Sequence, residues 1–207
     1  MIRTVGTSGM KDMQPSDTGN RYQSTAPISV VSQADEGSRS RKVSSDELLR
    51  LYKAGKRDFR GVDLSKRVLS GVNLQWTNLR RAKLHKTVLV GVNLTEVSLS
   101  EGDLSQTKLY STLLEGANLQ RVNLNQADLR GVNLTNANLA GADLSGVNLQ
   151  KVNLTGANLT GADLSGADLQ RVNLTGAILR GVDWTGAKFR ETEMTGVSLL
   201  ENLEFRI

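Results

Sequence analysis

Cysteine is absent from this 207-residue chain, which also has only two prolines, one histidine and 4% aromatic residues. Without cysteine there is no disulfide framework and no thiolate zinc site, and a reducing compartment is favoured. Long apolar runs are missing as well: no stretch approaches the roughly 20 apolar residues of a membrane span, and no signal-peptide pattern follows the start. We therefore expect a cytoplasmic protein without a membrane partner.

Neither sign of charge dominates the chain. The net charge is +5, yet residues 57–201 hold sixteen basic and fourteen acidic residues. Nucleic-acid binding normally requires a pronounced basic face. The near-neutral balance therefore argues against a nucleic-acid partner.

The first 43 residues have the composition of a flexible tail. Ser, Thr, Gln and Gly are frequent, and Arg39, Arg41 and Lys42 form a short basic run. Such a segment buries too little apolar surface to offset the conformational entropy that folding removes. We predict a disordered tail over residues 1–43.

A short helix is predicted over residues 44–56. Ser44 and Glu47 fit the capping-box pattern S-x-x-E, and Val43 and Leu48 occupy the two positions of a hydrophobic staple. Gly55 stands where a helix normally stops. Because a helix this short is marginal on its own, we predict that it caps the structure that follows.

A five-residue repeat begins at Phe59 and continues to Leu199. Every fifth residue in this range, the Leu position, is large and apolar, and 25 of the 29 are Leu. Two residues earlier lies the small position, usually Ala, Val or Thr, followed by the polar position, usually Asn or Asp. Gly recurs two residues after the Leu position, at the corner position. Such self-similarity is typical of a solenoid, whose units bury their apolar faces by stacking.

The five-residue period predicts short extended sides joined by corners. The Leu and small positions share one side of an extended segment, and glycine at the corner supplies a positive φ. Columns of similar residues twenty apart predict four sides per turn, as in the alternating charges of Arg81, Glu101 and Arg121. We predict the repeat region over residues 57–200.

These repeats resemble the pentapeptide-repeat family, pattern A-(D/N)-L-x-x, over residues 58–199, about two thirds of the chain. The resemblance implies an all-β fold, a right-handed quadrilateral parallel β-helix with four pentapeptides per coil and here about seven coils. The leader DELLRLYKAGKRDF is similar to leaders in cyanobacterial members. The family supplies no catalytic residue, metal ligand or cofactor to carry over.

Residues 201–207 leave the five-residue period. Leu203, Phe205 and Ile207 alternate with polar residues, which predicts a final cap strand or a dimerisation edge. The chain is accordingly expected to be a monomer or a homodimer formed through its C-terminal end.

The sequence contains no catalytic constellation. His85 is the only histidine and lies at an outward position, where a base would lack its nucleophile and its orienting partner. Asp143, Asp163 and Asp183 form a carboxylate column that either attracts a cation or consists of ordinary hydrated repeat residues. We predict a protein that is not an enzyme, and the cation question stays open.

Outward positions break the polar pattern in one region. In the four-sided frame Val68 stacks on Val88 and Val90 on Tyr110, with Leu113 around the next corner; these five residues are the apolar patch. Basic residues around it form the basic rim: Lys66, Lys83, Lys86, Lys108, Arg80 and Arg81. An exposed apolar patch marks protein interaction sites. The alternative is that β-branched residues and lysines merely suit exposed strands.

Two functions of different classes follow. The first is a non-enzymatic protein–protein interaction or scaffold module with a regulatory role, which presents a rigid surface to a partner of acidic character. The second comes from the resemblance: some family members mimic duplex DNA with an acidic rod and modulate or protect DNA gyrase, a topoisomerase. The near-neutral repeats argue against mimicry, and direct nucleic-acid binding would show a steep salt dependence.

Overall fold

Parallel pairing between residues twenty apart organises the chain. The computed structural model describes residues 41–199. Along this range, residues at the polar position pair with residues twenty further on, as Asn133 does with Asn153. Because each repeat has five residues, one turn contains four repeats and presents four faces. The twenty-residue period predicted from the sequence columns is confirmed.

The paired segments are very short. Most pairings are single bridges, and the two strands in the described range are β1 (Asp168–Gln170) and β2 (Lys188–Arg190), which are parallel with Leu169 opposite Phe189. Elsewhere each side holds one pair of backbone hydrogen bonds to the next turn. The Leu134 N–H, for example, donates to the Asn153 carbonyl at 2.8 Å, and the Asn153 N–H donates to the Val132 carbonyl at 3.1 Å.

The Leu position forms the core. It is buried without interruption from Phe59 to Leu179, and the Ala, Val and Thr residues of the small position are mostly buried beside it. The last described turn is more open, since Trp184 is half-buried and Phe189 is 45% exposed. The rings of these two residues lie 5.4 Å apart. The inward assignment of the Leu position is therefore confirmed, with its aromatic residues where the leucine stack ends.

Every corner from residue 61 to residue 196 has a positive φ. Half of these corners are glycines, such as Gly131 at φ +67°, and the other half are not, such as Lys151 at φ +60°. The left-handed conformation costs a non-glycine residue about 1–2 kcal/mol. Glycine was predicted at the corners, but the sequence pattern did not reveal that the remaining corners share the same conformation.

The polar position has a structural role of its own. Its side chain accepts a hydrogen bond from the backbone N–H two residues on, as Asn133 Oδ1 does from Thr135 at 3.1 Å and Asp143 Oδ1 from Ser145 at 3.0 Å. The same turn bond occurs on the other faces, for example at Asn78 and Asp128. Asn and Asp recur here because their short side chains reach the backbone of the following turn.

Helix α1 spans Ser45–Lys53. The Ser44 hydroxyl accepts from the Glu47 N–H at 3.1 Å, as predicted, but the Glu47 carboxylate binds Arg41 at 2.6 Å, and this takes the place of a reciprocal capping-box bond. The helix ends at Lys53, and Gly55, two residues further on, has φ +89°. The Gly55 and Lys56 N–H groups donate to carbonyls of the last turn, which is the Schellman arrangement.

The helix contacts the first turn of the coil. The Ser45 hydroxyl donates to the Val68 carbonyl at 3.0 Å, and Leu48 is fully buried in the same core cluster as the leucines. Arg57 lies 3.9 Å from the centre of the Tyr52 ring and donates to the Tyr52 carbonyl at 2.8 Å. Within residues 41–199, no helix has the length and apolar character needed to cross a membrane.

Residues 41–43 belong to the coil, although the sequence placed them in the tail. The Asp63 N–H donates to the Arg41 carbonyl at 2.8 Å, the Val43 N–H donates to the Asp63 carbonyl at 3.2 Å, and Val43 is buried. The composition of so short a segment carries no sign of this pairing. The rest of the predicted tail, through residue 40, and the predicted segment 201–207 lie outside the described residues.

Candidate functional site

The structure brings the five residues of the apolar patch onto neighbouring turns. Val68 pairs with Val88, and the Gly91 N–H donates to the Tyr110 carbonyl, which sets Val90 beside Tyr110. Val68 is 62% exposed and Tyr110 37%, while Val88 and Val90 are half-buried.

Leu113 lies on the next face, paired with Asn93 and Asn133, and is 46% exposed. Trp76 is also exposed, but it occupies a corner in a different column. The stacking predicted for the patch is therefore present, and Leu113 is reached around one corner.

Three patch residues occupy polar positions: Val68, Val88 and Leu113. An aliphatic side chain cannot accept the turn hydrogen bond that Asn and Asp accept elsewhere in the repeats. At these three positions the coil therefore lacks a local hydrogen bond and exposes apolar surface instead.

The two arginines of the basic rim share one carboxylate. Arg80 Nη2 lies 2.6 Å from Glu101 Oε1, and Arg81 Nε lies 2.8 Å from Glu101 Oε2. Hydrogen bonds from Arg81 and Arg80 hold the pKa of Glu101 below its usual value. Both arginines were predicted to belong to a basic surface, but their shared carboxylate leaves one net positive charge on this corner.

Lys83 is also flanked by carboxylates. It pairs through the backbone with Asp63 on one side and Asp103 on the other. The pKa of Asp63 is lowered chiefly by the hydrogen bond from the Ser65 N–H, with smaller contributions from the nearby charges of Lys42 and Lys83. Lys83 thus belongs to a column of alternating charge.

Lys66, Lys86 and Lys108 differ from the two arginines of the basic rim. All three are exposed, and none of the described carboxylates lies within ion-pair distance of them. Lys108 pairs with Val88 on one side and with Asp128 on the other. Asp128 is itself engaged by Arg130, at 2.7 Å. The uncompensated charge of the rim therefore lies beside Val68 and Val88.

His85 makes a hydrogen bond that resembles part of a catalytic relay. Its Nδ1 lies 2.8 Å from the Ser105 hydroxyl, which in turn donates to Asp103 Oδ1 at 2.6 Å. The same hydroxyl-to-carboxylate bond occurs at Ser145 and Asp143, where no histidine takes part. A carboxylate oxygen only accepts, so the Ser105 hydroxyl donates to Asp103, as the Ser145 hydroxyl does to Asp143 without a histidine.

The aspartate column contains two consecutive pairings, Asp143 with Asp163 and Asp163 with Asp183. Each carboxylate accepts the turn hydrogen bond from the residue two further on. Within residues 41–199, no group of three His, Asp or Glu side chains has an arrangement that could hold a metal ion. The carboxylates of the column thus accept local hydrogen bonds from the backbone.

A polar groove of about 730 Å³ lies on another face of the coil. Small residues, including Ser98, Ser100 and Ala140, line it together with Arg80 and Glu101. The last two form the ion pair described above, so the carboxylate of Glu101 is already bound within the chain.

The short sides, four repeats per turn and leucine core define a parallel β-solenoid. The family pattern described as pentapeptide repeats matches this chain in eight copies, over residues 58–96, 88–126, 98–136, 127–166, 137–176 and 167–199. The chain belongs to the pentapeptide-repeat family, as its sequence predicted. The fold implied by this family is the right-handed quadrilateral β-helix, and its members are generally structural or interaction modules without catalytic activity.

Solved structures of the family resemble the chain. HetL, involved in heterocyst differentiation regulation in the cyanobacterium Nostoc sp. strain PCC 7120, is 30% identical over 75% of this chain and 96% of its own, with a TM-score of 0.36. Rfr23 from the cyanobacterium Cyanothece 51142 is 25% identical over 75% of this chain and 94% of its own, with a TM-score of 0.39.

QnrB1, a plasmid-mediated fluoroquinolone resistance protein, is 19% identical over 77% of this chain and 89% of its own, with a TM-score of 0.43. A comparison with curated proteins gives no match.

Proposed function

We propose that the protein is a non-catalytic interaction module that binds a protein partner through the apolar patch. The observation that carries the proposal is the replacement of Asn or Asp at Val68, Val88 and Leu113. Each replacement removes a hydrogen bond that the repeat makes elsewhere and exposes an aliphatic side chain. A local rule broken at adjacent positions, without a structural gain, is the signature of a functional surface.

The rest of the chain supplies a rigid support for this surface. We propose a coil of about seven turns, with α1 covering the opening of the first turn through Leu48 and Tyr52. We also propose that the protein acts in the cytoplasm, as a monomer or as a homodimer through its C-terminal end.

The test uses variants that restore the repeat. Val88→Asn with Leu113→Asn brings back two turn hydrogen bonds and removes apolar surface, so the fold is kept while the patch is lost. Ile178→Asn is the matched control, because Ile178 also occupies a polar position, paired with Asn158 on a face away from the patch. Each protein is used as bait with cross-linking in a lysate of the source cell.

A partner retained by the wild type and by the Ile178→Asn control, but lost by the double variant, supports the proposal. If the double variant retains the same partner at the same yield, the patch is not the binding site. Measured unfolding curves for all three proteins establish that any loss of binding occurs in a folded chain.

DNA mimicry is the competing function, and the charges of the chain argue against it. A phosphate mimic needs a dominant negative surface, whereas residues 57–201 hold sixteen basic and fourteen acidic residues. Several of these form cation–anion pairs on the surface, such as Arg130 with Asp128 and Arg171 with Glu191. A supercoiling assay with DNA gyrase and a fluoroquinolone distinguishes the two functions, and we expect no protection.

A further inference from the structure

We propose that the partner presents an acidic segment to the patch and sets its carboxylates against Lys66 and Lys86. This inference rests on the proposed function, because it concerns the partner that covers the apolar patch. It adds the chemistry of that partner, which the apolar residues alone do not define.

Uncompensated charge is unevenly distributed over the basic rim. Of the six residues of the basic rim, Arg80 and Arg81 share Glu101, and Lys83 lies between two aspartates. No described carboxylate forms an ion pair with Lys66 or Lys86 or is paired with them through the backbone. Each of these lysines lies two residues before a patch valine. The positive charge that remains available is thus concentrated along one edge of the patch.

Lys66 and Lys86 are neighbours of like charge. Both are corner residues with left-handed backbone, at φ +61° and +58°, a conformation that half of the corners adopt without glycine. They lie on consecutive turns, about 4.8 Å apart along the coil, as the hydrogen bond from the Lys66 N–H to the His85 carbonyl places them. Like charges on such neighbouring residues repel each other.

One other corner column alternates its charges. Arg81, Glu101 and Arg121 follow one another there, so that each cation has an anion beside it. Beyond Lys86 the column of the two lysines continues with Gln106 and Gln126, which are neutral. The two lysines therefore lie side by side with no anion between them, and a carboxylate from outside the chain relieves their repulsion.

An acidic protein segment fits this surface better than a nucleic acid. Val68, Val88 and Val90 offer apolar area to aliphatic or aromatic side chains, and lysines at the rim of such an area select for opposite charge. A nucleic acid would require a longer track of cations and aromatic rings for stacking. Tyr110 is the one aromatic residue in the patch.

The experiment starts from an unbiased peptide library displayed on phage and selected on the full chain. The Val88→Asn/Leu113→Asn variant is used to remove peptides that bind elsewhere. We expect the recovered peptides to combine Asp or Glu with aliphatic or aromatic residues. Their affinities are then measured by fluorescence anisotropy, at low and high salt.

Lys66→Gln with Lys86→Gln is the decisive variant, since glutamine already occupies the next corner of the same column at Gln106. We expect it to weaken peptide binding about tenfold or more, and high salt to weaken it as well. Lys151→Gln is the matched control: Lys151 is also an exposed, left-handed corner lysine, but it lies away from the patch. We expect it to leave the affinity unchanged.

The outcomes separate this inference from the proposed function. If the patch variant abolishes binding but the lysine variant and salt do not change it, the acidic partner is excluded and the interaction module remains. If no peptide depends on the patch, both fail. If a 20-base-pair duplex binds through Lys66 and Lys86 and no acidic peptide does, the partner is a nucleic acid and the inference is wrong.

Discussion

At the scale of single residues, the polar position shows how local chemistry and surface function conflict. Asn and Asp at this position each satisfy a backbone N–H, as Asn153 does for Thr155 at 3.1 Å. Leu113 stands between Asn93 and Asn133 in a column of such residues and makes no equivalent bond. The residues that break the repeat are therefore those whose replacement should make the coil more stable.

Leu113→Asn tests this directly. The new side chain should accept a hydrogen bond from the Glu115 N–H, and a net hydrogen bond contributes about 0.5–1.5 kcal/mol. We expect the free energy of unfolding in urea to rise by roughly that amount. A loss of stability would mean that Leu113 contributes more as partly buried apolar surface than the turn bond would.

Gly131→Ala tests the corner conformation. A methyl group at this position meets no atom within 4 Å, so the cost comes from the left-handed backbone alone, about 1–2 kcal/mol. Lys151→Ala is the control on the next turn of the same column, where a non-glycine residue already has φ +60°. Urea unfolding should show a loss for Gly131→Ala and little change for the control; equal effects would contradict the assigned φ.

At the scale of elements, helix α1 was predictable because its signals are local. Ser44 is its N-cap and Gly55 follows its C-terminal end, as their residue types and spacing indicate. The bond between Glu47 and Arg41 was not predictable, since it requires residues 41–43 to pair with Asp63. That pairing depends on tertiary structure and leaves no mark in the composition of three residues.

Ser44→Ala removes the N-cap of α1. The backbone N–H of Glu47 then loses the hydroxyl that it binds at 3.1 Å, and such a substitution costs about 1 kcal/mol. We expect a corresponding fall in the urea midpoint. Ser165→Ala is a suitable control, because the hydrogen bond of Ser165 to Asp163 comes from its backbone N–H and is kept; an equal fall in the control would exclude capping as the cause.

At the scale of the whole molecule, the stacking was predictable from the five- and twenty-residue periods. The columns placed Val68 beside Val88 correctly, because each turn of the coil has the same number of residues and pairing follows from that number. The ion pairs of the basic rim could not be predicted from the sequence. Arg80 and Arg81 lie in or beside a column with Glu101, but only side-chain geometry shows that one carboxylate binds both.

The pH dependence of stability is also a property of the whole chain. Six described carboxyl groups have pKa values lowered by hydrogen bonds in the fold: Asp58, Asp63, Glu101, Asp128, Asp183 and Glu193. A carboxyl whose pKa is lower in the folded state stabilises the fold above its unfolded pKa, near 4, and this contribution is lost as the pH falls through the folded value.

We therefore expect the urea midpoint to be steady between pH 5 and 8 and to fall progressively below about pH 4.5. Asp128→Asn should reduce this fall, since it removes the ion pair with Arg130 while an amide oxygen can still accept the turn bond. A midpoint that stays constant down to pH 3 would show that these hydrogen bonds do not distinguish the charged from the neutral carboxyls.

Pairing between residues twenty apart also has a consequence for the order in which the chain forms. The described bridges join segments that are close in sequence, and topologies with such local contacts fold quickly. Synthesis proceeds from the N-terminus, so the residues of α1 and the first turn have been synthesised before those of the later repeats. Each completed turn then offers a free edge to the next twenty residues, and we expect the coil to grow turn by turn as the nascent chain leaves the ribosome.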